Sequence, residues 1–425
     1  MKGLILAAGM GTRLKPLTDT KPKPMLKIGG KPILEYVINT LKECGVDTLV
    51  IVVGYQREQI MNYFETGFDF GVKIKYVTQE EIGRTENAIL AAKNEFRNEE
   101  DFLIAHADFL VDKQMVERTI QNYLELKPGG TIAVTLVKEP HLYGIVSIDE
   151  DSQIRRIVEK PAPSEEPSMY AVAGVYVFKT KLFDILEKSD TLDIAIQEMI
   201  NAGDGVYSSI WEREWVKVRY PWDILNANRY ILDRMLRGKG SFIAETAQIS
   251  GQAKIEGPVY IGENVTVRSG AVISGPTYIG ANSFVGTNSL IREYTTVGAD
   301  VIVGFGVELK NSVILDNTSI GRLSFIGDSI IGYGVEFGAG TQTWNIRPDH
   351  RPITMIIEKE TVQIPSDKFG AVIGDNAAIG INVSIYPGKL IGAHALITPG
   401  AIINQNIPSG ATVTVKQETI IEKQE

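Results

Sequence analysis

An α/β half followed by a parallel β-helix is the fold class that this 425-residue sequence predicts. Two observations predict it. Across residues 2–238, short apolar runs alternate with runs of helical spacing, which implies a largely parallel sheet covered on both faces. From residue 243 onward an aliphatic side chain recurs at every sixth position: Ile243, Ile249, Ile255, Ile261, Val267, Ile273, Ile279, Val285, Ile291, Val297, Val303, Leu309 and Leu315. A second run resumes at Ile373 and continues through Ile379, Ile385, Ile391, Ile397 and Ile403. A period of six gives three short strands per coil, with one aliphatic residue of each strand facing an axial core. No amphipathic helix has that period, and a sandwich does not hold it for so long.

The elements of the first half follow from their apolar spacing. Residues 3–8, 48–53, 73–77, 102–105, 131–137 and 175–178 read as strands. Residues 33–44 and 56–64 read as helices, and 222–236 as a closing helix. The expected organisation is an α/β domain over 1–236, a linker at 237–242 carrying Gly238 and Gly240, a β-helix over 243–415, and a charged tail over 416–425. The hexad run breaks at about 341–369, a segment with Trp344, Asn345, Arg347, His350 and Arg351. It reads either as a functional loop on a regular scaffold or as a disordered insertion.

Composition narrows the function. A net charge of −9 argues against a nucleic-acid or anionic-membrane partner. Cys44 is the only cysteine, which removes any intramolecular disulfide, and nothing suggests a cysteine-based metal site. No apolar stretch reaches membrane-spanning length, and the N-terminal apolar run leads directly into glycines rather than a signal-peptide layout. The expected compartment is the cytoplasm.

The densest motif follows the first strand: Leu6-Ala7-Ala8-Gly9-Met10-Gly11-Thr12-Arg13, then Pro16-Leu17-Thr18, then Lys23-Pro24-Met25. Gly9 and Gly11 allow backbone conformations closed to other residues and let N–H groups approach phosphate oxygens. Arg13 offers a planar fork for those oxygens, and Lys23 a point charge. A nucleoside triphosphate under attack needs such charge stabilisation.

That string resembles the signature loop of the sugar-1-phosphate nucleotidylyltransferases, which join a nucleoside triphosphate to a sugar 1-phosphate with Mg²⁺ and release pyrophosphate. Further along, 304–312, 323–329, 337–341 and Asn345 resemble the C-terminal half of the archaeal bifunctional nucleotidylyltransferase/N-acetyltransferases. The resemblance implies a Rossmann-like nucleotidyltransferase domain with a hexapeptide-repeat left-handed parallel β-helix. It implies Arg13 and Lys23 as catalytic residues, and Leu6, Ala8, Gly9, Gly11, Thr12, Gln79 and Thr85 as nucleotide-binding residues. It also implies Gly144, Glu159 and Lys160 on the sugar side, and Asp108 as a Mg²⁺ ligand. Homotrimers or higher oligomers through the β-helix are implied too, with a paralogue as a further partner.

Six positions depart from the family pattern. Arg84 and Arg219 stand where the family has glycine, Val172 where it has asparagine, and Lys217 where it has the second Mg²⁺-binding aspartate. An ammonium has no lone pair for a metal. In the second half, Arg322 replaces the histidine base of the acetyltransferases and Phe325 their tyrosine. Arginine stays protonated and is a poor base. His106, His141, His350 and His394 lie elsewhere. Two expectations follow: an active nucleotidylyltransferase with a weakened metal site and no acetyltransferase activity, or an impaired regulatory or assembly subunit that binds nucleotide.

Overall fold

The computed structural model describes residues 1–81 and 83–421; Ile82 and the end of the expected tail, 422–425, lie outside the described residues. The chain forms two compact units. The first comprises Met1–Met10, Lys21–Leu26 and Pro32–Val218, and the second Gly11–Thr20, Lys27–Lys31 and Arg219–Glu425.

In the first unit a nine-stranded sheet carries the order Ile154–Glu159, Gly144–Ile148, Tyr170–Lys179, Asp101–His106, Lys2–Ala7, Thr48–Val53, Lys73–Thr78 along its main path. Gly130–Leu136 pairs with Tyr170–Lys179, and Val206–Trp211 pairs with Gly130–Leu136. Side chains alternate across the sheet, so Leu4, Val50 and Ile104 enter one core while Ile5, Ile51 and Leu103 enter the other. The helices Ile33–Glu43 and Lys113–Leu126 cover the second of these faces with Leu34, Ile38, Met115 and Val116. The opposite face receives Ile89, Leu182, Phe183, Ile196 and Met199.

The sheet is less parallel than the alternating pattern suggested. Four neighbouring strands, from Asp101–His106 to Lys73–Thr78, run parallel. Tyr170–Lys179 lies antiparallel to Asp101–His106, and Gly144–Ile148 and Ile154–Glu159 form an antiparallel hairpin. These last two strands and Val206–Trp211 escaped the sequence reading. The exposed Arg155 and Arg156 break the apolar pattern of the edge strand.

In the second unit three parallel sheets of eight, nine and eight strands stack coil upon coil, the left-handed parallel β-helix. Successive coils place Ile261 beside Ile279, Val267 beside Val285 and Ile273 beside Ile291, 18 residues apart. Their side chains form one continuous axial core. The expected series slips by one at its end. Val297 pairs with Ile314, 17 residues on, so Ile314 rather than Leu315 enters the axis. Ile320, Ile326, Ile331 and Phe337 continue it. Shortening a corner by one residue leaves the ladder intact but erases the six-residue period.

The segment expected as a loop or disordered insertion contains an ordered hairpin, Thr354–Ile357 against Glu360–Gln363. Ile353, Met355, Ile357, Ile364 and Phe369 are buried and hold its base. The helix Pro221–Leu236 also belongs to this unit. Its buried Asn228 donates to the Tyr294 carbonyl at 2.8 Å and accepts from Thr296 Oγ1 at 2.6 Å.

Candidate active site

In the first unit the strand order reverses beside Lys2–Ala7. The chain goes from that strand to Thr48–Val53 and Lys73–Thr78 on one side, then crosses to Asp101–His106 on the other. Ligands of open α/β sheets bind at the carboxyl ends of strands at such a switch point. Leu6, Ala8 and Gly9 lie at the carboxyl end of the first strand, and Asp108 just past the carboxyl end of Asp101–His106. The Ala107 N–H donates to the Leu6 carbonyl at 3.1 Å, which joins the two ends.

Asp108 is the centre of the charge cluster. Its carboxylate accepts a short charged hydrogen bond from Lys23 Nζ, both side chains being largely buried. Burial opposes ionisation of Asp108, but the Lys23 and Lys217 cations outweigh it and hold its pKa at about 2. Lys217 reaches this place because Val216–Lys217 pairs antiparallel with Phe109–Leu110 and the Val218 N–H donates to the Asp108 carbonyl at 2.9 Å. Its ammonium lies 4.9 Å from the Phe109 ring centroid and 5.3 Å from that of Tyr143. His106 closes the cluster. Burial pushes its pKa down to about 4 against the pull of Asp108, and Lys217 reinforces the depression.

The sugar-side residues also meet. Gly144 and Glu159 are directly paired across their hairpin, and a Cβ on Gly144 would stand 2.9 Å from Glu159 Oε2. Glycine therefore keeps the carboxylate's approach open. The Lys160 N–H donates to the Tyr143 carbonyl at 3.0 Å, and Lys160 Nζ pairs with Glu159 at 2.9 Å. Burial raises the Tyr176 phenol, with Glu159 and then Asp108 adding to it. Tyr143 and Tyr176 thus belong to the cluster. Sequence spacing gave no sign of either.

Gln79 is buried, and its amide donates to the carbonyls of Glu81 and Arg84 at 2.9 and 3.0 Å. It shapes the turn that leads into the helix Thr85–Ala91. Arg84 pairs with Glu86 at 2.7 Å and donates to the Asp190 carbonyl.

In the second unit Gly11 adopts a left-handed conformation at φ 63°, and its carbonyl accepts from the Leu14 N–H at 2.9 Å and from Thr18 Oγ1 at 2.8 Å. Thr12 Oγ1 donates to Glu358, and Arg13 Nε lies 3.4 Å from the same carboxylate. The β-helix also holds a cavity of about 490 Å³ lined by Arg229, Tyr294, Lys310, Asn311 and Asp328 among others. Asn311 and Asn345 donate to the buried Asp328 at 2.7 and 2.6 Å, so its polar groups are already satisfied internally.

Among the described residues no three histidine, cysteine or carboxylate groups gather as a metal site. Asp108 offers one ionised carboxylate. Mg²⁺ commonly takes one or two carboxylates and completes its shell with water and substrate phosphate. A metal arriving on a triphosphate fits that single ligand.

Comparison with known proteins places the chain. Residues 2–234 match the nucleotidyl transferase family, and residues 273–363 match the GMPPB C-terminal domain. The chain is 40% identical over 430 residues to the bifunctional protein GlmU of Methanococcus maripaludis strain C7, covering 100% of this chain and 99% of that one. It is 36% identical to a bifunctional sugar-1-phosphate nucleotidylyltransferase/acetyltransferase of Sulfurisphaera tokodaii, covering 96% of this chain and 99% of its relative. An apo UDP-glucose pyrophosphorylase structure shares the fold at a TM-score of 0.51 and 22% identity, covering 56% of this chain and 100% of that one. The fold and these matches define a nucleotidyltransferase. More narrowly, the chain belongs to the sugar-1-phosphate nucleotidylyltransferase family, on the side of its GlmU-like bifunctional members.

Proposed function

We propose that the protein transfers a nucleoside monophosphate from a nucleoside triphosphate to a sugar 1-phosphate. An oxygen of the sugar phosphate attacks the α-phosphorus, the bond from that phosphorus to the bridging oxygen of the β-phosphate breaks, and pyrophosphate leaves. The observation that carries this reading is Asp108 at the strand switch point, neutralised by Lys23 with Lys217 beside it. Attack on phosphorus needs alignment and charge neutralisation more than covalent help.

In this reading Arg13 and Lys23 stabilise the charge of the triphosphate. Leu6, Ala8, Gly9, Gly11, Thr12, Gln79 and Thr85 hold the nucleotide, while Gly144, Glu159 and Lys160 hold the sugar. Mg²⁺ bound by Asp108 would add charge neutralisation on the phosphates. The ammonium of Lys217, fixed over two aromatic rings, supplies charge that the family draws from a second aspartate-bound metal contact. Acetyl transfer is absent in this reading, because Arg322 and Phe325 stand where the acetyltransferases have histidine and tyrosine. The active form is a homotrimer or higher oligomer through the β-helix.

Pyrophosphate release from a panel of triphosphates and sugar 1-phosphates tests the reaction. Turnover with at least one pair, lost in Lys23→Ala, is expected. Triphosphate binding without turnover for any pair would instead establish the regulatory subunit. Thiol release from acetyl-CoA with amino-sugar 1-phosphates should stay at background.

A further inference from the structure

We propose that Glu358, at the tip of the inserted hairpin, is a built-in phosphate mimic that occupies Thr12 and Arg13 until a triphosphate displaces it. The inference rests on the reading of Thr12 and Arg13 as nucleotide-binding residues. Both oxygens of the Glu358 carboxylate are used: Oε1 accepts from Thr12 Oγ1, and Oε2 lies 3.4 Å from Arg13 Nε. A hydroxyl and a guanidinium converging on two oxygens of one anion is the arrangement expected for a phosphate group.

The hairpin is built to deliver that carboxylate. Its two strands pair from Thr354↔Gln363 to Ile357↔Glu360, which leaves only Glu358 and Lys359 in the turn. Both take positive φ, 50° and 74°. Two-residue turns of this kind favour Asn-Gly or Asp-Gly. Glutamate and lysine here carry backbone strain where easier residues would serve the turn alone, and such strain concentrates at switching and binding sites. The buried Ile353, Met355, Ile357 and Ile364 fix the base of the hairpin and so aim its tip.

The contact is also weak enough to be displaced. Arg13 and Glu358 side chains retain 42% and 45% exposure, and exposed ion pairs contribute little. The rest of the loop is anchored elsewhere: Thr20 donates to Asp375 at 2.5 Å, and Ser409 to Asp19 at 2.7 Å. A polyphosphate can therefore replace one carboxylate without dismantling the loop. The hairpin sets an affinity threshold for the triphosphate and favours its full charge over singly charged anions.

Two variants test this. Glu358→Gln removes the charge. Glu358→Asn combined with Lys359→Gly removes it while giving the turn its preferred residues, so loss of the hairpin does not confound the result. Both should bind inorganic tripolyphosphate by calorimetry about two- to fivefold more tightly than the wild type. The KM for the triphosphate should fall in parallel, with kcat unchanged. Weaker binding or a lower kcat would overturn the proposal, since Glu358 would then be positioning Arg13. Unchanged affinity overturns it as well. Arg13→Gln separates this failure from that of the underlying reading. Wild-type affinity in that variant removes Arg13 from the nucleotide site and the proposal with it. Weakened affinity there, with no gain in the Glu358 variants, removes the mimic alone.

Discussion

At the scale of residues, Lys217 adds a second cation beside Asp108, after Lys23. It could not replace an aspartate as a metal ligand, but it is held at 4.9 Å over Phe109 and helps keep Asp108 ionised. Lys217→Met keeps apolar contact with the rings and deletes the charge. If the ammonium acts on the phosphates, kcat should fall by about one to two orders of magnitude at saturating substrate. Unchanged kcat would show that Lys217 is only a packing residue. Cys44 gives a residue-level prediction unconnected with catalysis. Burial, reinforced by Glu117, pushes its thiol up to about 12. The neutral thiol is favoured in the folded protein, so its stabilising share is complete below the ordinary thiol range. That share is lost as pH rises from about 9 towards 12. Iodoacetamide should label Cys44 far more slowly at pH 8 in the native protein than in denaturant, and equal rates would refute the burial argument. Much of the candidate site was proposed at this scale from the dense string Leu6 to Met25, of which the structure brings Lys23 to Asp108. Tyr143, Tyr176 and Glu358 were not legible in the sequence, since they reach their neighbours through strand pairing and a hairpin turn that no local spacing records.

At the scale of elements, legibility followed periodicity. The strands of the parallel block and the coils up to Leu309 repeat their apolar positions regularly, and the sequence showed them. The edge hairpin Gly144–Ile148/Ile154–Glu159 and the coils between Leu309 and Ile373 did not repeat, for two physical reasons. Edge strands tolerate charges such as Arg155, and corners shortened by one residue preserve coil stacking while shifting the period. The axial position after Phe337 adds a third reason, because Thr343 fills it. Thr343 is fully buried, and its Oγ1 accepts from the Gly327 N–H at 3.0 Å. A polar atom in this apolar axis is tolerated because it is itself hydrogen-bonded, Ser329 Oγ also donating to it at 3.2 Å. Thr343→Val conserves shape but deletes the hydroxyl that accepts from Gly327 and Ser329 and donates to the Phe325 carbonyl, and should lower stability by about 0.5–1.5 kcal/mol in urea denaturation. If axial apolarity governed the coil instead, the valine would stabilise it.

At the scale of the whole molecule, the surface of the β-helix bears on assembly. Large apolar side chains are exposed at several places on the coils, Ile381, Leu396 and Ile402 among them, and four others lie together in one stretch. Phe284 and Ile302 are neighbours in one ladder, with 37% and 54% exposure. Phe305 and Leu323 occupy successive coil corners at 48% and 59%, joined by a 2.9 Å hydrogen bond from the Leu323 N–H to the Phe305 carbonyl. Four large apolar side chains grouped on regular, rigid coils are unusual for a surface facing water. A second and third copy presenting the same ladder would bury them, and a rigid scaffold would lose little conformational freedom in doing so. The homotrimer is therefore expected to close over Phe284, Ile302, Phe305 and Leu323. Ile302→Glu combined with Phe305→Glu places charges on outward-facing positions, leaves the axial core untouched, and should convert the trimer to monomer in sedimentation velocity. Each monomer should retain its far-ultraviolet circular dichroism. A monomeric wild type at micromolar concentration, or a double variant that stays trimeric, would rule this face out as the seam.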